Sequence, residues 1–139
     1  MTNSKEIRTL NHCAFSLTIH LVLVTKYRSR CLNGAMLVRL QATAAELAVK
    51  WKCELLEFNG EPDHVHLLLS LSPTVAPASF TNNLKTLTSM MLRREFKVAL
   101  KRHFWRFNGV WSRSYCVLSS GGAPLEVLKR YIERQDRPL

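Results

Sequence analysis

Two histidines one residue apart, His64 and His66, are the side chains of this sequence best suited to chemistry. In a strand, residues i and i+2 point the same way, so both imidazoles stand side by side and can chelate one divalent ion without backbone rearrangement. Val65 between them faces the other way and anchors the strand in the core. An arbitrary H-x-H is usually two ordinary strand histidines. Here the pair follows a Pro62-Asp63 turn and falls on a face expected to be free of helices, which favours a metal. Tyr131 and Gln135, four apart near the C-terminus, project from one side of a helix, so a phenol and an amide reach the same small site. A tyrosine on a terminal helix usually packs, and a glutamine there is usually solvated. Their spacing gains weight because the histidine pair lacks a third ligand, which the Gln135 carbonyl oxygen could supply. His20 could stand behind a ligand or against a nucleic acid, but an ordinary polar position is preferred.

The elements that must carry these residues follow from periodicity. Residues 15–24 alternate, with Phe15, Leu17, Ile19, Leu21 and Leu23 on one face and His20 on the other, which reads as a half-buried strand. Asn33-Gly34 breaks the chain, and a helix follows to about Trp51 with the stripe Leu37, Leu40, Ala44, Leu47 and Trp51. A second strand covers 53–58 and Asn59-Gly60 reads as its turn. A third covers 64–71, with Val65, Leu67, Leu69 and Leu71 opposite the histidines. A long helix runs to about Leu100 through Phe80, Leu84, Leu87 and Met91. Residues 101–111 read as a loop rich in bases and aromatics, 114–119 as a fourth strand, and 124–135 as a final helix opened by Pro124. Leu125, Leu128 and Ile132 form that helix's packing stripe.

The expected fold class is α+β. Its βαββαβ order matches a ferredoxin-like antiparallel sheet with two helices on one face, followed by the helix that carries the tyrosine. The first and third strands are then central neighbours, and His20, His64 and His66 share the open face. One domain over 1–139 is expected, with residues 1–13 flexible.

Twenty Lys and Arg against ten Asp and Glu give a formal charge of +10, which points to a polyanionic partner and first to nucleic acid. Lys26, Arg28 and Arg30 form one basic knot, and Arg93, Arg94, Lys97, Lys101, Arg102 and Arg106 another. From these, with Lys85, come the candidate DNA contacts: Lys26, Arg28, Arg30, Lys85, Arg93, Arg94, Lys101, Arg102 and Arg106. His103, Phe104, Trp105, Arg106 and Phe107 mix charge with stacking surface, as unpaired bases require; the alternative is an aromatic cluster capping the core. No apolar run approaches the roughly 18 residues of a membrane span. The polar start of the chain does not read as a secretion signal, so a cytoplasmic location is expected. Cys13, Cys31, Cys53 and Cys116 are too widely spaced to suggest a zinc site or a disulfide framework.

The sequence resembles the IS200/IS605 family of small single-tyrosine transposases, within the HUH endonucleases. The resemblance runs from about His20 to Gln135. It rests on His20-Leu21-Val22-Leu23-Val24-Thr25-Lys26-Tyr27-Arg28, Pro62-Asp63-His64-Val65-His66-Leu67-Leu68, Trp111-Ser112-Arg113-Ser114-Tyr115 and Tyr131-Ile132-Glu133-x-Gln135. Glu61 departs from the family, which carries an apolar residue before the proline. The resemblance implies a DNA transposase that cuts and rejoins single-stranded DNA at element ends marked by hairpins. In it Tyr131 is the nucleophile of a 5′-phosphotyrosine intermediate, and His64, His66 and Gln135 bind Mg2+ or Mn2+. It also implies a homodimer whose tyrosine helices can serve the partner's histidines, with Gly121-Gly122 as a plausible hinge. Competing readings are a domesticated REP-associated tyrosine transposase, a non-catalytic nucleic-acid-binding module of the same fold, and a metal hydrolase with no covalent step.

Overall fold

The computed structural model describes residues 7–10, 12–104, 109–119 and 130–134. Among these, the strands form a short hairpin and a four-stranded antiparallel sheet. The hairpin joins β1 (Arg8–Leu10) to β2 (Cys13–Phe15). The sheet consists of β3 (Thr18–Thr25), β4 (Glu54–Glu61), β5 (His64–Ser70) and β6 (Trp111–Ser119), in the order β4-β5-β3-β6. Between them run α1 (Gly34–Lys50), α2 (Pro77–Glu95) and α3 (Lys97–Phe104). The expected first and third strands, β3 and β5, are indeed central and paired, in a register that sets Val22 opposite His66 and Val24 opposite His64.

Alternation decides which face of the sheet each side chain takes. Leu21 and Leu23 of β3 and Val65, Leu67 and Leu69 of β5 point into one core with Met36, Leu40, Ala44 and Leu47 of α1 and Phe80, Leu84, Met91 and Leu92 of α2. Each large side chain so buried contributes about 1.5–3 kcal/mol before chain entropy is subtracted. The other face was expected to be open. It is not: Val22 and Val24 are 1% and 0% exposed, packed under Cys116, Leu118, Tyr131 and Ile132. The run Leu21-Val22-Leu23-Val24 is therefore apolar on both sides, the pattern of a strand covered on both faces.

The structure corrects several boundaries. Arg8–Leu10 lies within the stretch expected to be flexible, yet it is paired, and the Arg8 guanidinium donates to the Ser70 carbonyl at 3.2 Å and its hydroxyl at 2.8 Å. Leu17, placed in the core stripe, is 45% exposed because β2 ends at Phe15 and β3 begins at Thr18. Asn59-Gly60 is no turn; Gly60 lies in β4 opposite Val65, and the chain reverses at Pro62-Asp63. Glycine suits position 60 because a Cβ there would meet the Leu37 side chain of α1, which would have to shift. The long helix breaks at Phe96, and the expected loop is helical to Phe104 and extended from Trp111. Asn33 is a cap: the Met36 N–H donates to its side-chain oxygen at 2.9 Å. Trp105, Arg106, Phe107, the Gly121-Gly122 break, the first part of the tyrosine helix and Gln135 lie outside the described residues.

Candidate functional site

The site lies on the sheet face away from α1 and α2. β5 presents His64 and His66 there, both half-buried, on alternate positions of one strand. β3 presents His20, Val22 and Val24, and β6 presents Cys116 and Leu118. Because Val22 is opposite His66, His20 is the diagonal neighbour of His66. Its Nδ1 stands 2.8 Å from His66 Nε2, with ring centroids 4.9 Å apart. At that distance one ring donates and the other accepts, so one proton lies between them.

His64 is held from the turn before it. Its Nδ1 is 2.8 Å from Asp63 Oδ1, while Arg28 donates to Asp63 Oδ2 from Nη2 at 3.2 Å and from Nε at 3.3 Å. Asp63 is buried, and burial works against its charge. The His64 hydrogen bond and charge, then those of Arg28, outweigh this and hold the carboxyl below its ordinary range. Arg28 reaches Asp63 from a turn in which Tyr27 and Arg28 take φ of 58° and 52°. Such left-handed residues cost on the order of 1 kcal/mol each.

Tyr131 sits on a helical turn at 130–133 and packs with Ile132 against Val22 and Val24. Burial pushes its phenol above the ordinary value, and a hydrogen bond with Ser114 works the other way. A cleft of about 240 Å3 opens beside the ring, lined by Cys116, Arg130, Tyr131 and Arg134. The phenol and the histidines are thus brought to one face from segments far apart in sequence.

The donor set fits a divalent ion in kind. Burial, and then the neighbouring His20 and His64, lower the pKa of His66, which favours the neutral ring that can ligate. Asp63 on Nδ1 of His64 leaves that ring's Nε2 for an ion, the usual carboxylate–histidine arrangement behind a metal. Among the described residues no three His, Cys, Asp or Glu side chains make a complete cage. A divalent ion on this pair would need further ligands, which oxygen atoms commonly supply.

The expected DNA contacts divide. Arg28 is ion-paired with Asp63, with its side chain 16% exposed. Lys85 is half-buried and donates to the Arg113 carbonyl at 3.0 Å, so it ties α2 to β6 on the helical side. Lys85 and Arg93 line a shallow cleft with Trp111, and Arg94 is exposed, 3.9 Å from Glu95; all three belong to α2, away from the histidine face. Lys26 is half-buried, and Arg30, Lys101 and Arg102 are exposed. His103 Nδ1 lies 2.7 Å from Ser29 Oγ, which brings the end of α3 beside the Lys26–Arg28 turn. His20 and Asp63 are the residues sequence reasoning undervalued. An aspartate directly before H-x-H was a usable sign; the His20 contact needed the register.

Comparison with known proteins places the chain in a family and shows a shared fold. The family model described as "Transposase IS200 like" matches residues 13–135. The ISDra2 transposase TnpA of Deinococcus radiodurans is 33% identical over 123 residues, 87% of this chain and 85% of that protein. The transposase for insertion sequence element IS200 of Salmonella typhimurium is 28% identical over 129 residues, 92% of this chain and 82% of its own. A crystal structure of a protein from Deinococcus radiodurans R1, proposed there to be a transposase, superposes with a TM-score of 0.85 at 28% identity, covering 94% of this chain and 99% of that one. A REP-associated tyrosine transposase bound to a REP hairpin shares the fold more loosely, with a TM-score of 0.53 at 12% identity over 84% of this chain and 62% of its own. A family match over nearly the whole sequence and a relative at one-third identity lead to one conclusion: the chain belongs to the IS200-like transposase family.

Proposed function

We propose that this chain cleaves and rejoins single-stranded DNA at hairpin-marked element ends, through a covalent bond from DNA to Tyr131. The observation that carries the reading is that Tyr131 packs on Val22 and Val24, on the sheet face that presents His64 and His66. In cleavage, the Tyr131 oxygen forms a bond to phosphorus as the bond from phosphorus to the 3′-oxygen breaks. The products are a 5′-phosphotyrosine and a free 3′-hydroxyl, and the phenolic proton passes to a base. Rejoining is the reverse, with another 3′-hydroxyl attacking the phosphotyrosine, so the phosphodiester bond energy is conserved and no nucleotide is consumed.

His64, His66 and Gln135 would hold Mg2+ or Mn2+; nitrogen ligands favour manganese, and cellular abundance favours magnesium. When bound, such an ion supplies positive charge against the scissile phosphate as negative charge develops there. The protein's own part is to seat the phenol, orient both imidazoles and favour the neutral form of His66. The ferredoxin-like reading of the sheet is supported by the central β3-β5 pair. A homodimer with composite sites, the tyrosine helix of one subunit serving the histidines of the other, belongs to the same proposal. The net charge of +10 and the exposed Arg30, Lys101 and Arg102, flanking the Ser29–His103 contact, suit a DNA partner.

The test is incubation of end-labelled single-stranded hairpin DNA from the element's ends with the protein and Mg2+ or Mn2+, read on a denaturing gel. A covalent adduct that Tyr131→Phe abolishes is the expected result. Binding without an adduct would point to a non-catalytic module, and a cut without an adduct to a hydrolase.

A further inference from the structure

The Lys26–Arg28 turn is fixed from several directions. The Lys26 N–H donates to the Val110 carbonyl at 2.9 Å and the Ser29 N–H to the Lys26 carbonyl at 3.2 Å. The Thr25 N–H donates to the Asp63 carbonyl at 3.0 Å, and the Thr25 hydroxyl to the Ser29 carbonyl at 2.7 Å. These bonds close the turn and the Pro62-Asp63 reversal without any help from the Arg28 side chain. What the left-handed φ values of Tyr27 and Arg28 achieve is to send the guanidinium back toward the Asp63 carboxylate.

Asp63 is 6% exposed, and its carboxylate has a different partner on each oxygen: Arg28 on Oδ2 through both Nε and Nη2, and His64 on Oδ1. Partners on both oxygens fix the carboxylate's plane, and the guanidinium sets two donors on one of them where an ammonium would set a single charge. Arg28 Nη1 is enclosed and has no hydrogen-bond partner among the described residues. A guanidinium placed to meet a DNA phosphate would keep that nitrogen accessible, whereas this one is turned inward.

We propose that Arg28 is a positioning residue of the cleavage site, acting through Asp63 on His64. By pinning Asp63 it makes the carboxylate accept the Nδ1 proton of His64, so that Nε2 of that ring keeps its lone pair toward the site. The proposal rests on the reading of His64 as a metal ligand, but its first link, from Arg28 to the His64 tautomer, stands without any metal.

The experiment uses the full chain. Imidazole nitrogen chemical shifts of 15N-histidine-labelled protein, free of metal and DNA, report the His64 tautomer. Calorimetry with Mn2+ alone reports affinity, and fluorescence anisotropy reports binding of single-stranded DNA without metal. In the parent protein His64 is a single Nδ1–H tautomer. In Arg28→Gln it becomes a mixture, Mn2+ affinity falls about 10- to 100-fold, and DNA affinity stays within about twofold. Arg28→Lys, which keeps the charge and loses the fork, falls between. Asp63→Asn reproduces the tautomer change with Arg28 intact.

An unchanged His64 tautomer with weakened DNA binding in Arg28→Gln would make Arg28 a DNA contact and overturn the proposal. If Arg28→Gln fails to fold, Arg28→Lys carries the comparison; failure of both would assign Arg28 to holding the fold and also overturn it. A parent protein that binds no Mn2+ and forms no adduct would sink the metal reading instead, while the tautomer shifts would still decide the Arg28–Asp63–His64 link.

Discussion

In the proposed reaction the Tyr131 oxygen must shed a proton as it attacks, and the burial that seats Tyr131 against Val22 and Val24 makes that loss harder. The folded protein holds this proton above the ordinary value near 10, so the stabilisation is fully present below that pH and is lost as pH rises through the folded value. Spectrophotometric titration of the tyrosinate band should show that Tyr131→Phe removes a phenol that ionises above pH 10. Removal of one ionising at or below 10 would contradict the packing. The cysteines give a second check on burial. Cys31 is enclosed, and desolvation pushes its thiol up to about 12, whereas Cys13 is exposed. At neutral pH a thiol reagent should react rapidly with one cysteine, absent in Cys13→Ser, and reach Cys31 only after denaturant is added.

Each element is held by a few identifiable contacts. α1 begins where Asn33 accepts the Met36 N–H, so Asn33→Ala should cost about 1 kcal/mol in denaturant unfolding, and Asn33→Asp nearly nothing. α1 also crosses β4 closely enough that Gly60 leaves no room for a side chain beside Leu37. Gly60→Ala should destabilise by about 1–3 kcal/mol, toward the lower figure because the colliding Leu37 methyls can rotate. Adding Leu37→Ala should recover part of the loss, a coupling that a double-mutant cycle measures. Additive costs would show that the two do not meet. At the end of β4, the Pro62-Asp63 reversal both pairs β4 with β5 and places Asp63 beside His64. One turn thereby serves the sheet and the site.

Across the whole molecule, charge and architecture divide the work between two faces. One carries the helices and the main core, and the other carries the histidines and Tyr131. The His103–Ser29 contact brings exposed Arg30, Lys101 and Arg102 into one region, while Arg28 is turned inward. Affinity for single-stranded DNA should therefore fall steeply with salt. Each phosphate contact removed should flatten the log–log slope by about 0.7. Arg30→Ala and Arg102→Ala should each do so, by anisotropy between about 50 and 200 mM salt, and Arg28→Gln should not. An equal effect from all three would mean that the inward and outward arginines are not distinct.

What the sequence by itself determined was much of what short period governs, although Leu17 and Leu87, placed in core stripes, are exposed. Alternation placed His64 and His66 on one side of a strand and Val65 on the other, and the helical stripes of Leu40, Ala44, Leu47, Phe80 and Leu84 marked the core. These relations are set by backbone geometry within a few residues. Partners far apart in sequence were decided by tertiary structure alone. His20 and His66 are 46 residues apart and meet because Val22, not its neighbour, pairs with His66; Arg28 and Asp63 are 35 apart and meet because two consecutive residues adopt a left-handed turn. Periodicity fixes the face a side chain takes. Strand register and turn conformation fix what it touches there, and both depend on contacts that no local window of sequence contains.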